Sequence, residues 1–275
     1  MRAGPAGSSA TPGSRIRLAR CSGATTMADM DFTQLHQADR YPLSAKYDPA
    51  WILGFDMGPH PLWQLEELLN DLDLYPGAKV LDLGCGMGAT SVFLARECDA
   101  AVTAFDLWID EDRLRSNLEA QGVSDLVSPI NGDVRDLPFA DATFDAIVSV
   151  DAFEYFGTDV RLLPSLLRVL KPSGVIGMTT PALRTDPYES FPPDHVTDVV
   201  GWEAAGWHSP QWWATHWRLS GLVDKITARM QEHGREDWLR WSRALGEDED
   251  GPIISMLKAD EHHEIGFSVV SATKK

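Results

Sequence analysis

Cysteine is scarce: the 275 residues contain three, Cys21, Cys85 and Cys98. An odd number without a C-x-x-C spacing excludes a disulfide framework and a thiolate zinc site, and it makes a reducing, cytoplasmic setting the simplest expectation. Long apolar runs are missing too. None approaches the roughly 20 residues that a bilayer-spanning helix requires, so no membrane partner is expected. Basic residues are outnumbered, 24 lysines and arginines against 41 acidic residues, for a net charge of −17. No basic stripe appears outside the N-terminal tail, which argues against a nucleic-acid partner.

Acids, in turn, are absent from residues 1–26, a stretch of Gly, Ser, Ala, Thr and Pro that carries Arg2, Arg15, Arg17 and Arg20. It lacks the continuous apolar core of a secretory signal. Residues 1–30 are therefore expected to be a disordered tail, or translation assigned upstream of Met27 or Met30. The chain from Met27 onward carries −21.

What is present is a hydrophobic content of 44%, enough for one α/β sheet with an added lid. Residues 80–88 read VLDLGCGMG, a buried-strand pattern that stops in three glycines with an acid two residues ahead of them. Alternate glycines let the chain turn through positive φ and let a ligand approach bare main chain. Residues 89–98 then carry helix formers, so the turn feeds a helix N-terminus whose free N–H groups suit polar or anionic groups. This is a turn for a nucleotide-type cofactor. Gly84-x-Gly86-x-x-Ala89 also satisfies the nicotinamide dinucleotide fingerprint, so an NAD-dependent oxidoreductase stays open as an alternative.

The following segments are β-rich and end in acids. Residues 101–105 run into Asp106, placed to accept hydrogen bonds from ribose hydroxyls and to repel a 2′-phosphate. A third short strand closes at Asn131-Gly132-Asp133-Val134, and residues 146–150 form a fourth that ends at Asp151. Residues 160–170 place Leu162, Leu163, Leu166, Leu167 and Leu170 on one helical face, with Pro164 near the helix start. Lys171-Pro172-Ser173-Gly174 reads as a turn before a fifth strand over residues 175–180.

These elements, in this order, resemble the class I S-adenosylmethionine-dependent methyltransferases, specifically their broad small-molecule group, methyltransferase type 11-like. The resemblance rests on D-x-G-x-G-x-G at residues 82–88, the acid Asp106, Gly132-Asp133-Val134, LPFADATFD at 137–145 and LKPSG at 170–174. It covers roughly residues 75–182 and implies a Rossmann-like, mostly parallel seven-stranded sheet with helices on both faces. The last strand inserts antiparallel, and residues 265–272 suit it. The chain then divides into the tail, an N-terminal helical cap segment over 31–74, the cofactor-binding core over 75–182, and the remainder of the sheet with a tryptophan-rich helical lid over 183–275.

The resemblance also implies S-adenosyl-L-methionine as cofactor and a methyl transfer to an O, N or C atom of a small-molecule acceptor. It gives the turn from Gly84 through Cys85 and Gly86 to Gly88 to the methionine half, with Asp82 steadying the turn or reaching the amino group through water. Asp106 and the adjoining Leu107 fall to the ribose, Asp133 to the adenine amino group and Val134 to the adenine edge. Asp151 stands near the methionine moiety. For Asp82 and Asp133 a turn-capping role is the rival. A non-catalytic cofactor-binding homologue is a further alternative. The segment Val150-Asp151-Ala152-Phe153 lacks the N/D-P-P-Y/F/W tetrapeptide, which counts against amino-methylation of nucleic-acid bases.

For acid–base work Glu154 and Tyr155, just past strand four, and His195 are the candidates, with His216 beside them. The substrate-binding candidates are Tyr47 and Met57 in the cap segment, and Trp207 and His216 in the lid. Residues 181–263 hold seven of the ten tryptophans. Trp213 and Trp217, four apart, are expected on the buried face of a helix before a sixth strand at 222–228, and Trp238 and Trp241 on an inserted helix. The remaining aromatics, with Phe191 and His195, are expected to line a cavity between core and lid. The acidic run 247–250 reads as a solvated loop, and no metal site is expected. A homo-oligomer is left open.

Overall fold

The computed structural model describes residues 32–55 and 58–275. The tail expected over 1–30 and the candidate Met57 lie outside the described residues. Seven strands form one sheet in the order β3-β2-β1-β4-β5-β7-β6. β1 (Lys79–Leu83) lies between β2 (Ala101–Asp106) and β4 (Phe144–Val150), both parallel to it. β3 (Val127–Asn131) extends the sheet beyond β2, and β5 (Leu170–Leu183) beyond β4. β7 (Ile265–Lys274) runs antiparallel between β5 and β6 (Val223–Met230). The expected insertion of the last strand is therefore present.

β1 is buried on both faces, which is why VLDL reads as a continuous run and not as an alternation. Val80 joins one core with α2 (Pro61–Leu69), α3 (Ala89–Glu97) and α4 (Glu111–Ala120). Leu81 and Leu83 join the opposite core with α5 (Phe153–Phe156), α6 (Leu162–Val169) and α8 (Pro210–Leu219). On α8 the expected pair Trp213 and Trp217 is buried, and Phe153 packs edge-on against Trp213 at 5.4 Å. Local chemistry starts these helices: His60 caps α2 and Ser209 caps α8, each followed by a proline whose missing N–H leaves no bond unmade.

One boundary differs from expectation. Leu170 does not close α6 but opens β5, pairing with Phe144, and the pairing resumes at Val175 with Ala146. Residues 171–174 thus bulge out of a continuous strand, with Ser173 at φ 62°. The turn expected at Lys-Pro-Ser-Gly is therefore corrected: the chain reverses between α6 and Leu170, and residues 171–174 are a bulge within a strand that runs parallel to β4 on both sides of it.

A third, smaller apolar cluster joins α7 (Asp194–Val200) and α10 (Pro252–Ala259) to the ends of β5 and β7. α9 (Gly234–Ala244) reaches back to the N-terminal segment. Its Asp237 accepts from Arg40, Arg240 and the Tyr41 hydroxyl, and the buried Trp241 Nε1–H donates to the Gly58 carbonyl at 2.6 Å. Trp241→Phe removes that donor, leaves a void beside His60 and is expected to cost about 1–3 kcal/mol in urea unfolding. An unchanged midpoint would refute the anchoring role.

Candidate functional site

The carboxyl ends of β1, β2, β3 and β4 open onto one crevice, at the point where the strand order reverses. About 710 Å³ of space lies there, including the mouth. Of the glycine turn, Gly84 lines it, while Cys85, Gly86 and Gly88 do not. Gly84, Gly86 and Gly88 all have positive φ, at 69°, 54° and 94°. Gly84 N–H and Cys85 N–H donate to the Phe105 carbonyl, tying the turn to the end of β2, while Cys85 itself is buried.

Asp106 completes the tie. Its Oδ2 accepts from Gly86 N–H at 2.9 Å, and its Oδ1 accepts from Trp108 and Ile109 N–H at 2.7 and 2.9 Å. A carboxylate offers about four acceptor sites, so three amides leave one for a ligand hydroxyl. Asn131 Nδ2 donates to the carbonyls of Asp106, Leu107 and Ile109, and Gly132 N–H donates to the Asp106 carbonyl. At Gly132 a Cβ would fall 2.6 Å from the Phe105 ring, so only glycine lets β3 end this close to β2.

Asp82 is fully buried. Its Oδ2 accepts from the Thr90 and Ser91 hydroxyls at 2.7 and 2.6 Å, which fastens the first turn of α3 to β1. Its Oδ1 is buried without a partner, and burial pushes the carboxyl up to about 6 against the pull of those hydroxyls. Asp133 is taken up by Arg135, whose guanidinium and N–H both donate to it and hold its carboxyl below the usual range. Of the capping roles weighed for the two aspartates, Asp133 has one, accepting from the Arg135 N–H, whereas Asp82 accepts from side-chain hydroxyls and caps no amide. Asp133 and the buried Val134 lie in the crevice wall with Leu107, and Asp82 lies behind it.

Past β4 the chain turns at Asp151, a non-glycine residue with φ 52°. The Asp151 carboxylate lines the crevice with Oδ1 buried and unbonded, and Gly58 stands against Oδ2 so closely that a Cβ would lie 1.8 Å from it. Glu154 Oε2 accepts from the Thr180 hydroxyl at 2.7 Å, and burial pushes its carboxyl up to about 7. Tyr155 is half exposed and meets Trp108 edge-on at 5.1 Å, the two rings flanking the mouth.

Glu154 itself does not line the crevice, and the remaining candidates lie farther from it. Tyr47 is buried between Trp51 and Phe93 with its hydroxyl on Glu97, because α3 offers it an apolar face away from the turn. Trp207 is packed into the third cluster against Trp238. His195 lies on α7 with Nε2 3.8 Å from Asp260, and His216 stacks on Trp212 at 4.9 Å. Phe191 is exposed on the surface and lines no cavity. The expected cavity lined by the remaining tryptophans is not found at this crevice: Trp207 and Trp212 pack on apolar clusters, and Trp202 is exposed. Sequence reasoning missed Trp108, whose signal was its place two residues after the strand-two acid.

The sheet order, the glycine turn and the acid at the end of β2 define a Rossmann-like protein of the nucleotide-cofactor type. Residues 80–174 match the family model described as "Methyltransferase domain". The chain is 33% identical over 118 residues to a glycine/sarcosine/dimethylglycine N-methyltransferase of Actinopolyspora halophila, covering 42% of this chain and 21% of that protein. It is 29% identical over 207 residues to erythromycin 3''-O-methyltransferase of Saccharopolyspora erythraea, covering 70% and 67%. The chain spans less than half the length of the first curated relatives it matches. The fold aligns with geranyl diphosphate C-methyltransferase from Streptomyces coelicolor A3(2) at a TM-score of 0.63 and 18% identity, over 76% of each chain. Residues 80–174 are therefore similar to the S-adenosylmethionine-dependent methyltransferases, the class that the order of motifs implied. Nothing in these matches supports the oxidoreductase alternative.

Proposed function

We propose that the protein transfers a methyl group from S-adenosylmethionine to an O, N or C atom of a small-molecule acceptor. The observation that carries this reading is Asp106, an acid that locks two turns of the crevice by three amide bonds and keeps one acceptor site for a ribose hydroxyl. The three relatives named above methylate small molecules at nitrogen, oxygen and carbon, which supports the acceptor class. Cysteine usage supports a cytoplasmic location.

The residues present fit the donor. Positive-φ glycines would leave main chain bare for its methionine half, the unbonded Asp82 Oδ1 would take its amino group through water, and the Val134 backbone would border its adenine. When bound, the donor supplies a methyl group already activated on a sulfonium, so no covalent enzyme intermediate is required. The protein then has two tasks. Trp108 and Tyr155 narrow the mouth and limit water, and Glu154 receives the acceptor's proton.

Calorimetric titration with S-adenosylhomocysteine tests the reading: saturable 1:1 heat is expected, and none would end it. The pH dependence follows from Glu154. A base must be ionised to accept a proton, and burial holds this one near 7, so turnover is expected to rise with pH through about 7 and to be lost below it. Glu154→Gln should lower turnover about 10²–10⁴-fold and flatten that limb. A wild-type profile in the variant would assign the base elsewhere.

A further inference from the structure

Each of the four strands that open onto the crevice carries an aspartate at or near its end, and three of these are held by donors. Asp82 has the Thr90 and Ser91 hydroxyls, Asp106 has three amides, and Asp133 has the Arg135 N–H and guanidinium. Asp151 is the contrast. Its backbone is fixed, with N–H on the Thr179 carbonyl at 2.9 Å and φ at 52°, but its buried Oδ1 has no partner among the described residues. What meets the carboxylate is carbon: the bare Cα of Gly58 stands so near Oδ2 that a Cβ would lie 1.8 Å from it. A contact of that kind restricts a carboxylate without occupying its acceptor sites, which a hydrogen bond cannot do.

Gly58 is itself held from α9. Its carbonyl accepts from Nε1–H of the buried Trp241 at 2.6 Å. His60, two residues on, meets the Trp241 ring edge-on at 4.9 Å and stacks on Trp63 of α2 at 4.0 Å. α9 is fastened to the same N-terminal segment a second time, where Asp237 accepts from Arg40 and from the Tyr41 hydroxyl. An indole on α9 thus bears on a carboxylate at the end of β4 through a single glycine, whose φ of 68° suits no larger residue.

We propose, resting on the methyltransferase reading, that Gly58 and Trp241 are positioning residues for the donor: they aim the Asp151 carboxylate, with its acceptor sites unspent, at the donor's amino group. Trp241 acts only through Gly58, and Gly58 only through Asp151. Both therefore serve the methionine half and leave the adenosine half to Asp106 and the crevice walls. Glycine is required at 58 because any side chain there displaces the carboxylate.

Calorimetry with two probes tests this. S-adenosylhomocysteine carries the amino acid, and 5′-methylthioadenosine has the same nucleoside and thioether without it. Gly58→Ala is expected to weaken S-adenosylhomocysteine at least tenfold and 5′-methylthioadenosine less than threefold. Trp241→Phe should move the ratio of the two affinities at least threefold in the same direction. In an Asp151→Ala background Gly58→Ala should cost less than threefold further, because the carboxylate it would displace is gone. Should Gly58→Ala not fold, as urea unfolding would show, Trp241→Phe in the two backgrounds carries the comparison. Equal loss of both probes would overturn the proposal, since a merely structural role gives that result, and so would unchanged affinity for both. A cost of Gly58→Ala that persists undiminished in Asp151→Ala would overturn it too, because the added methyl then acts on something other than the carboxylate. A wild type that binds neither probe would instead end the methyltransferase reading.

Discussion

Asp106→Ala should weaken S-adenosylhomocysteine binding roughly hundredfold or more while the chain stays folded. The carboxylate has one free acceptor site, and a charge-assisted hydrogen bond from a ribose hydroxyl contributes about 1.5–3 kcal/mol, or 10- to 160-fold in affinity. The larger part of the effect is indirect. Without the side chain, Gly86 N–H loses its acceptor on β2, and the Trp108 and Ile109 amides lose theirs. The glycine turn then keeps the Gly84 and Cys85 N–H bonds to the Phe105 carbonyl and the Asn117 side-chain amide on the Met87 carbonyl, but loses its tie to the start of the β2–α4 turn. The crevice loosens, and binding must re-order it. Stability should fall by only about 1–3 kcal/mol, because the amides lie near the mouth, where water replaces the carboxylate. Asp106→Asn keeps an acceptor oxygen and should fall between. Calorimetry and urea unfolding on the three proteins separate the outcomes. Wild-type affinity in Asp106→Ala would remove the observation on which the function rests.

Much of this crevice was legible because its elements are local and ordered. An apolar run ending in alternate glycines, followed by an acid about 20 residues on, requires only neighbouring strands to become a site, and parallel pairing of β1 with β2 and β4 places them together. Asp82, Gly84, Asp106, Val134 and Asp151 were readable for that reason. The lid was not. Tyr47, Trp207, His195 and His216 are aromatic or titratable residues in loops and helices far from the motif, and sequence patterns do not say which side of an amphipathic segment faces a ligand. The partners that decide it come from long range: Phe93 for Tyr47, Val196 and Ile253 for Trp207, Asp260 for His195. The same limit hid the pairing of Asp133 with Arg135, since a two-residue Asx turn and an adenine contact ask for the same residue. Strand β5 shows a milder version: Leu170 satisfies a helical face and a strand end equally well, and only the Phe144 pairing decides.

Gly84→Ala should be far more damaging than Gly77→Ala, and the space around each glycine shows why. Both glycines sit in left-handed backbone, at φ 69° and 81°. For an L-residue that region costs roughly 1–2 kcal/mol. Around Gly77 nothing lies within 4 Å of the added carbon, so the backbone cost is the whole cost. At Gly84 the new Cβ would stand 2.4 Å from Ala152 Cβ and 3.4 Å from the Phe156 ring. Ala152 has no side-chain freedom, so the overlap is relieved only by moving the β4–α5 turn, an overpacking cost of about 1–3 kcal/mol. The total, about 2–5 kcal/mol, is a large share of the stability of a typical domain. The displacement also carries Asp151, which precedes Ala152, and with it the part of the crevice where donor and acceptor meet. Urea unfolding should therefore separate the two variants by about 1–3 kcal/mol, and calorimetry should find S-adenosylhomocysteine binding kept in Gly77→Ala and lost in Gly84→Ala. Equal destabilisation would mean that the turn yields without resistance. The close approach of β1 to the β4–α5 turn would then not be what shapes the floor of the site.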